Sequence, residues 1–281
     1  MIDCIGEFYD ENGIITKVPE NRSIPFEQSN SAYEVIRVIE GVPLFLEEHF
    51  HRLERSFASL GDALQFQIET LAERISRVVR ANNKMNCNVK MIISARRQET
   101  HAVIYISKSY YPSIQEVDQG VAVDIMMWER EKPNAKVINQ TYKQAVENTI
   151  KQQNVFEVLL VNTKKEITEG SRSNVFFVKD KTVYTAPTKQ VLKGITRQYV
   201  LEACERANVQ IIQKPITLEV LSDMEALFLT GTSIKVLPVF RVGDKKFDSG
   251  SHQDVIRIKD IYENMILAYI NASSSRTSII K

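Results

Sequence analysis

Apolar and polar positions change period along the chain, and each change marks an element. Gly6 to Tyr9 reads as a short strand running into Glu11-Asn12-Gly13, where Asn-Gly is a hairpin signal. Tyr33 to Ile39 reads as a further strand, turned by Glu40-Gly41 into Val42 to Leu46. Phe50, Leu53, Phe57 and Leu60 then recur at helical spacing, which predicts a helix over 46–60 stopped by Gly61. A second helix is predicted over 68–81, and strands at Val89–Ser94 and Ala102–Ser107. Strands and helices mix without strict alternation, the pattern of a small α+β domain.

The stretch Tyr110 to Gly120, YYPSIQEVDQG, combines a proline, polar residues and a closing glycine, and reads as a boundary. The expected division is a first domain over 1–112, a linker over 113–119 and a second domain over 120–281. The second part opens with a strand, Val121–Trp128, then a polar loop, Glu129–Asn134, then a helix over 140–153 with Tyr142, Ala145, Val146, Thr149 and Ile150 on one face. Strands follow at Glu157–Val161, Asn174–Val178, Val183–Thr185, Gln210–Gln213 and Ala226–Leu229, with a helix from Thr196 to Asn208 among them. The last helix, Asp254–Ile270, leads into a serine-rich tail, Ser273–Lys281, expected to fray.

At 281 residues and 43% hydrophobic, the chain is long enough for two ordinary domains with sizeable cores. A net charge of +1 with no basic run among aromatics argues against a nucleic-acid partner. No apolar run has bilayer length, and Met1-Ile2-Asp3-Cys4 does not open a signal peptide, so no membrane partner is expected and the cytoplasm is the expected location. Cys4, Cys87 and Cys204 are odd in number and scattered, as free thiols of a reducing compartment would be. His49 and His51 have no acidic or cysteine partner at ligand spacing, so no metal is expected.

Candidate chemistry concentrates in Glu166 to Arg197, EITEGSRSNVFFVKDKTVYTAPTKQVLKGITR. Glu169 falls in a turn signalled by Gly170 and Ser171. Lys193-Gly194-Ile195-Thr196 opens a helix whose free amides suit a phosphate, and Gly194 lets the backbone approach a ligand. Thr230-Gly231-Thr232-Ser233, after an apolar strand, suits a nest of amides. Arg52 lies beside the buried stripe of its helix, where a guanidinium can reach a phosphate in two-point fashion.

EGSRSNVF, VYT and LKGITR at these spacings resemble the class IV aminotransferases, the group of branched-chain and D-amino-acid aminotransferases and aminodeoxychorismate lyases. Ser31-Ala32-Tyr33-Glu34, HFHRL, Ala135-Lys136-Val137-Ile138-Asn139 and LTGTSIKVLPV extend the resemblance, in the family's order, over most of the chain. It implies a fold class: α+β, a two-domain fold type IV enzyme with a small N-terminal α/β domain and a larger C-terminal domain built on a pseudo-barrel of strands flanked by helices. It implies pyridoxal 5'-phosphate, with Lys136 as the catalytic Schiff-base lysine and Glu169 as partner of the pyridine nitrogen. It implies phosphate contacts from Arg52, Ile195, Thr196 and Thr232, an active-site Tyr33, and a cofactor cup shaped by Ser173, Asn174 and Gly194. Lys143 and Lys193 are the competing lysines: the first lies on the following helix away from Tyr142 and Val146, the second beside a glycine better suited to a phosphate.

The implied reaction moves an amino group from an amino acid to a 2-oxo acid, and the implied assembly is a homodimer. Lysis of aminodeoxychorismate with release of pyruvate, and a non-catalytic member, are the alternatives. The substrate-gripping patterns of the two aminotransferase subgroups are not reproduced. Where D-amino-acid enzymes carry Arg-x-His, this chain has Ser94-Ala95-Arg96-Arg97-Gln98-Glu99-Thr100-His101. Where branched-chain enzymes place Tyr-x-Arg, it has Asn88-Val89-Lys90. Lys90, Arg96 and Arg97 are therefore the candidate carboxylate contacts.

Overall fold

The computed structural model describes residues 3–24, 26, 31–96, 99–131 and 133–279, the side chains of 95–96, 99 and 274–279 excepted. The chain divides into two compact units. The first joins Met1–Tyr110 with two later segments, Ala135–Ile138 and Ile266–Lys281; the second comprises Tyr111–Asn134 and Asn139–Met265. The expected linker at 113–119 instead carries a helix, α3 (Ile114–Gln119), and belongs to the second unit. Its cause is legible locally: Ser113 and Glu116 form a reciprocal capping box, which supplies partners for the first orphan amides of the turn.

The first unit is a six-stranded sheet, β1 (Cys4–Glu11), β2 (Ile14–Lys17), β3 (Ser31–Ile39), β4 (Val42–Pro43), β5 (Cys87–Arg96) and β6 (Glu99–Ser107), in the order β2-β1-β6-β5-β3-β4. Asn12 and Gly13 turn the first hairpin with φ of 50° and 88°, the left-handed pair that matches strand twist. Because side chains alternate across a strand, Ala32, Ile36, Met91, Ile93, Ile104 and Ile106 face helices α1 (Leu46–Ala58) and α2 (Ile68–Ala81) in one core. Leu53, Leu71 and Ile75 are fully buried there, at about 1.5–3 kcal/mol each. The other face carries Tyr9, Tyr33, Ile92, Val103 and Tyr105.

The second unit is built on a ten-stranded sheet. Its strands are β7 (Val121–Met127), β8 (Glu157–Val161), β9 (Glu166–Gly170), β10 (Asn174–Lys179), β11 (Thr182–Thr185), β12 (Gln210–Gln213), β13 (Ile216–Thr217), β14 (Ala226–Gly231), β15 (Lys235–Val242) and β16 (Lys245–Lys246). The main path is β12-β11-β10-β14-β15-β7-β8-β9-β13. In that path β9 and β10 are separated by four strands, about 24 Å in a flat sheet at roughly 4.8 Å per strand. Yet they are joined through residues 171–173 alone, a link that spans at most about 14 Å. The sheet must therefore curl on itself, and Val123, Leu159, Phe177, Leu227, Leu229 and Leu237 fill its interior. Helices α4 (Gln140–Gln153) and α5 (Ile195–Arg206) accompany it.

The last helix, α6 (Gln253–Ile279), continues through the serine-rich segment expected to fray. Among the described residues no helix is long and apolar enough to cross a membrane.

Candidate functional site

The sequence-predicted site residues fall in both units. In the first, strand β4 pairs only with Val38 and Ile39, so the opening half of β3 is left as an edge. Ala135–Ile138 fills it. Val137 bridges Ala32, the Tyr33 amide donates to the Lys136 carbonyl at 3.0 Å, and the Ile138 amide donates to the Ser31 carbonyl at 3.1 Å. The Lys136 amide donates to Ser56 Oγ of α1 at 3.2 Å. The lysine backbone is thus fixed on both sides, and its ammonium lies 4.7 Å from the centre of the Tyr33 ring.

Beneath this segment α1 presents a second, polar stripe: His49, Arg52 and Ser56 are buried beside the apolar one. Arg52 is not at the margin of the helix, as the apolar pattern implied, but 4% exposed. Its two-point grip goes to a carboxylate of its own chain: Nε donates to Glu34 Oε1 and Nη2 to Oε2, both at 2.7 Å, while His49 Nδ1 meets Oε2 at 2.7 Å. Burial raises the Glu34 carboxyl, but Arg52 and His49 outweigh it and bring it down to about 2. Burial holds His49 below the ordinary histidine range, against the pull of Glu34. Neither Glu34 nor His49 was singled out from sequence, although both stand inside the blocks SAYE and HFHRL.

Of the candidate carboxylate contacts, Lys90 is paired with Asp3 at 3.2 Å and lies 5.6 Å from the Tyr33 ring centre. Arg97 and the side chain of Arg96 lie outside the described residues.

In the second unit Glu169 stands in strand β9 and not in a turn, because its segment pairs with β8 at Leu159↔Gly170 and Val161↔Ile167. It is 2% exposed. Its Oε2 accepts from the Leu192 amide at 2.9 Å and Asn174 Nδ2 at 3.4 Å; its Oε1 accepts from Arg130 Nη1 at 3.1 Å. The turn that follows is shaped from below by Glu157, a buried carboxyl that accepts from Ser171 Oγ at 3.1 Å and from the Arg172 amide. Ser173 is buried in the same turn.

Gly194 is the N-cap of α5, and no side chain caps the helix there. The close approach expected of this glycine is made by Asn174: a Cβ on Gly194 would collide with Asn174 Oδ1. Ile195 and Thr196 are buried in the first turn, with Thr196 hydrogen-bonded to Tyr262. Asn174 pairs in register with Thr230, which leads into the turn carrying Thr232. Glu169, Asn174, the start of α5 and the Thr230 turn are therefore neighbours. Thr230 Oγ1 is a buried hydroxyl with no partner among the described residues. Of the competing lysines, Lys143 is exposed and within 3.8 Å of Glu147.

The second unit thus brings together a buried carboxylate, an uncapped helix start and a hydroxyl turn, and the first unit fixes a lysine beside a tyrosine ring. The model of the family described as amino-transferase class IV matches residues 31–242. The chain is 27% identical to D-alanine aminotransferase of Bacillus licheniformis over 263 residues, covering 89% of this chain and 91% of that protein. It is 25% identical over 252 residues to a probable branched-chain-amino-acid aminotransferase of Rickettsia conorii, covering 85% and 87%. Among solved structures, the branched-chain amino acid aminotransferase from Escherichia coli superposes with a TM-score of 0.80 at 21% identity, covering 93% of this chain and 94% of that one. That likeness carries the fold, and the family match carries the class: the chain belongs to the class IV aminotransferases.

Proposed function

We propose that the protein is a pyridoxal-phosphate aminotransferase that moves an amino group between an amino acid, of the branched-chain or D-amino-acid class, and a 2-oxo acid, with Lys136 as its catalytic amine. The observation that carries the reading is the lysine itself, fixed through both its amide and its carbonyl and with its ammonium on the Tyr33 ring.

Bound pyridoxal phosphate supplies an electron sink for charge developing at the substrate Cα. Lys136 Nζ would hold the cofactor and would serve as the base for the proton at the substrate Cα. Glu169, aligned by Leu192 and Asn174, would accept a hydrogen bond from the ring nitrogen. The amides of Ile195 and Thr196, with Thr232, would anchor the phosphate, a role the family resemblance also gives to Arg52. Gly194, Asn174 and Ser173 shape that cup, and Tyr33 lies beside Lys136. Among the described side chains, Lys90 is the candidate for the substrate carboxylate. The homodimer implied by the family is part of the reading, tested by light scattering for twice the 32.2 kDa chain mass. Three buried, unpaired cysteines support the cytoplasm as its place of work.

The test is a visible spectrum of the cofactor-loaded protein, read before and after L- and D-amino acids without acceptor. A visible band that is absent in Lys136→Ala and discharged by one amino-acid class supports the proposal. A band untouched by every amino acid, with pyruvate released from aminodeoxychorismate, replaces it with the lyase. Failure to bind cofactor at all refutes both.

A further inference from the structure

Arg130 stands in the loop after β7 and was not among the residues the sequence singled out. Its guanidinium donates to Glu169 Oε1 at 3.1 Å, with side-chain exposures of 20% and 3%. It lies 5.9 Å from the ring centre of Tyr142, and that ring packs against Trp128 at 5.6 Å. The Tyr142 hydroxyl donates to the Ser171 carbonyl at 2.7 Å, two residues beyond Glu169. The arginine is therefore seated on an aromatic pair tied to the same turn as the carboxylate it contacts. Among the described residues of this unit, the charged groups acting on Glu169 include Arg130, by contact, and Arg197 of α5, through space.

We infer that Arg130 is a positioning residue for the cofactor chemistry: it fixes the Glu169 carboxylate and keeps it ionised, so that the proton shared with the ring nitrogen rests on nitrogen. This rests on the reading of Glu169 as partner of that nitrogen. Distance decides the sign. The guanidinium touches the carboxylate, while a ring nitrogen bound to that carboxylate stands further off. Attraction to the carboxylate therefore exceeds repulsion of the protonated ring, and the charge-separated arrangement is favoured. Leu192 and Asn174 hold the other oxygen, but both are neutral and cannot replace the charge.

Trp128 is the chain's single tryptophan and belongs to the same cluster, so its fluorescence reports cofactor binding without turnover. Wild type, Arg130→Lys (charge kept), Arg130→Gln (donor kept, charge lost) and Glu169→Gln are titrated with pyridoxal phosphate, and the visible band of each loaded protein is followed against pH. The inference expects Arg130→Gln to weaken cofactor binding by about tenfold or more. It also expects the band to change at higher pH than in wild type, because the lost cation no longer favours the deprotonated pair, with Arg130→Lys restoring most of both. Equal affinity and an equal pH midpoint in Arg130→Gln, with Glu169→Gln impaired, overturn it. If Glu169→Gln is also unimpaired, the reading of Glu169 falls and the inference with it.

Discussion

Glu34→Gln tests the buried ion cluster under the lysine segment. Glu34 is fully buried, and Arg52 and His49 hold its carboxylate. The difference between a carboxyl at its ordinary 4.5 and one at about 2 corresponds to about 3 kcal/mol of preference for the ionised form. The glutamine keeps the shape and one acceptor but takes from the buried Arg52 the carboxylate that it grips at two points, which lands in the same range. In a chain of this size that is a fall in Tm of roughly 6–12 °C at neutral pH. The sign with pH follows from linkage. A carboxyl depressed in the folded state contributes its stability above its unfolded value and loses it as the pH falls through the folded one. The gap between wild type and variant should therefore be full at about pH 6 to 7 and close from about pH 4.5 downward toward 2. Thermal unfolding of the cofactor-free protein across that range reads it directly. Adding Arg52→Met to Glu34→Gln removes the buried charge and should recover part of the loss. A single-variant shift under about 2 °C at neutral pH, or a gap that widens in acid, would refute the reasoning.

Tyr269 donates to Glu47 at 2.8 Å and accepts from the Leu46 amide at 3.2 Å, capping α1 where Phe45 offers no side-chain cap. Tyr269→Phe should cost about 1 kcal/mol, seen as a few degrees in Tm. Glu157 is raised by burial, against Arg172, Ser171 and Ser173. A carboxyl raised in the folded state gives stability at low pH and loses it as the pH rises, so Glu157→Gln should match wild type in acid and exceed it in Tm at about pH 8. Gly194→Ala should displace Asn174 and with it the Leu192 and Glu169 contacts, lowering cofactor affinity in a fluorescence titration while the far-ultraviolet spectrum stays unchanged.

What the sequence disclosed depended on the range of the forces involved. Helices α2 and α4 and strands β8 and β12 match the bounds read from periodicity, because a buried stripe and a local stop signal decide them. Strands β9 and β15 escaped for the opposite reason. Glu166–Gly170 mixes acids with a glycine and β15 contains Pro238; each is a strand because a distant partner pairs with it, β8 in one case and β14 in the other. The site divides the same way. Lys136 and Glu169 stand in distinctive blocks, while Arg130 is one arginine in a polar loop until Glu169 is brought beside it. Arg52 was visible as a candidate but its partner was not, since β3 and α1 meet only through tertiary packing.

On the proposed function, the placement of the lysine explains why a four-residue segment would suffice to carry the chemistry. An amine that must first hold the cofactor and then move a proton needs a mobile side chain on an immobile backbone. A helix interior would supply the second but crowd the first. A loop would supply the first and surrender the second. Ala135–Ile138 meets both needs by lying along the edge of β3 that β4 leaves open, with Ser56 as the extra tie from α1. The edge is available only because β4 is two residues long, which in turn follows from the tight Glu40-Gly41 turn, φ 53° and 80°, and from Pro43, which has no amide to extend the ladder.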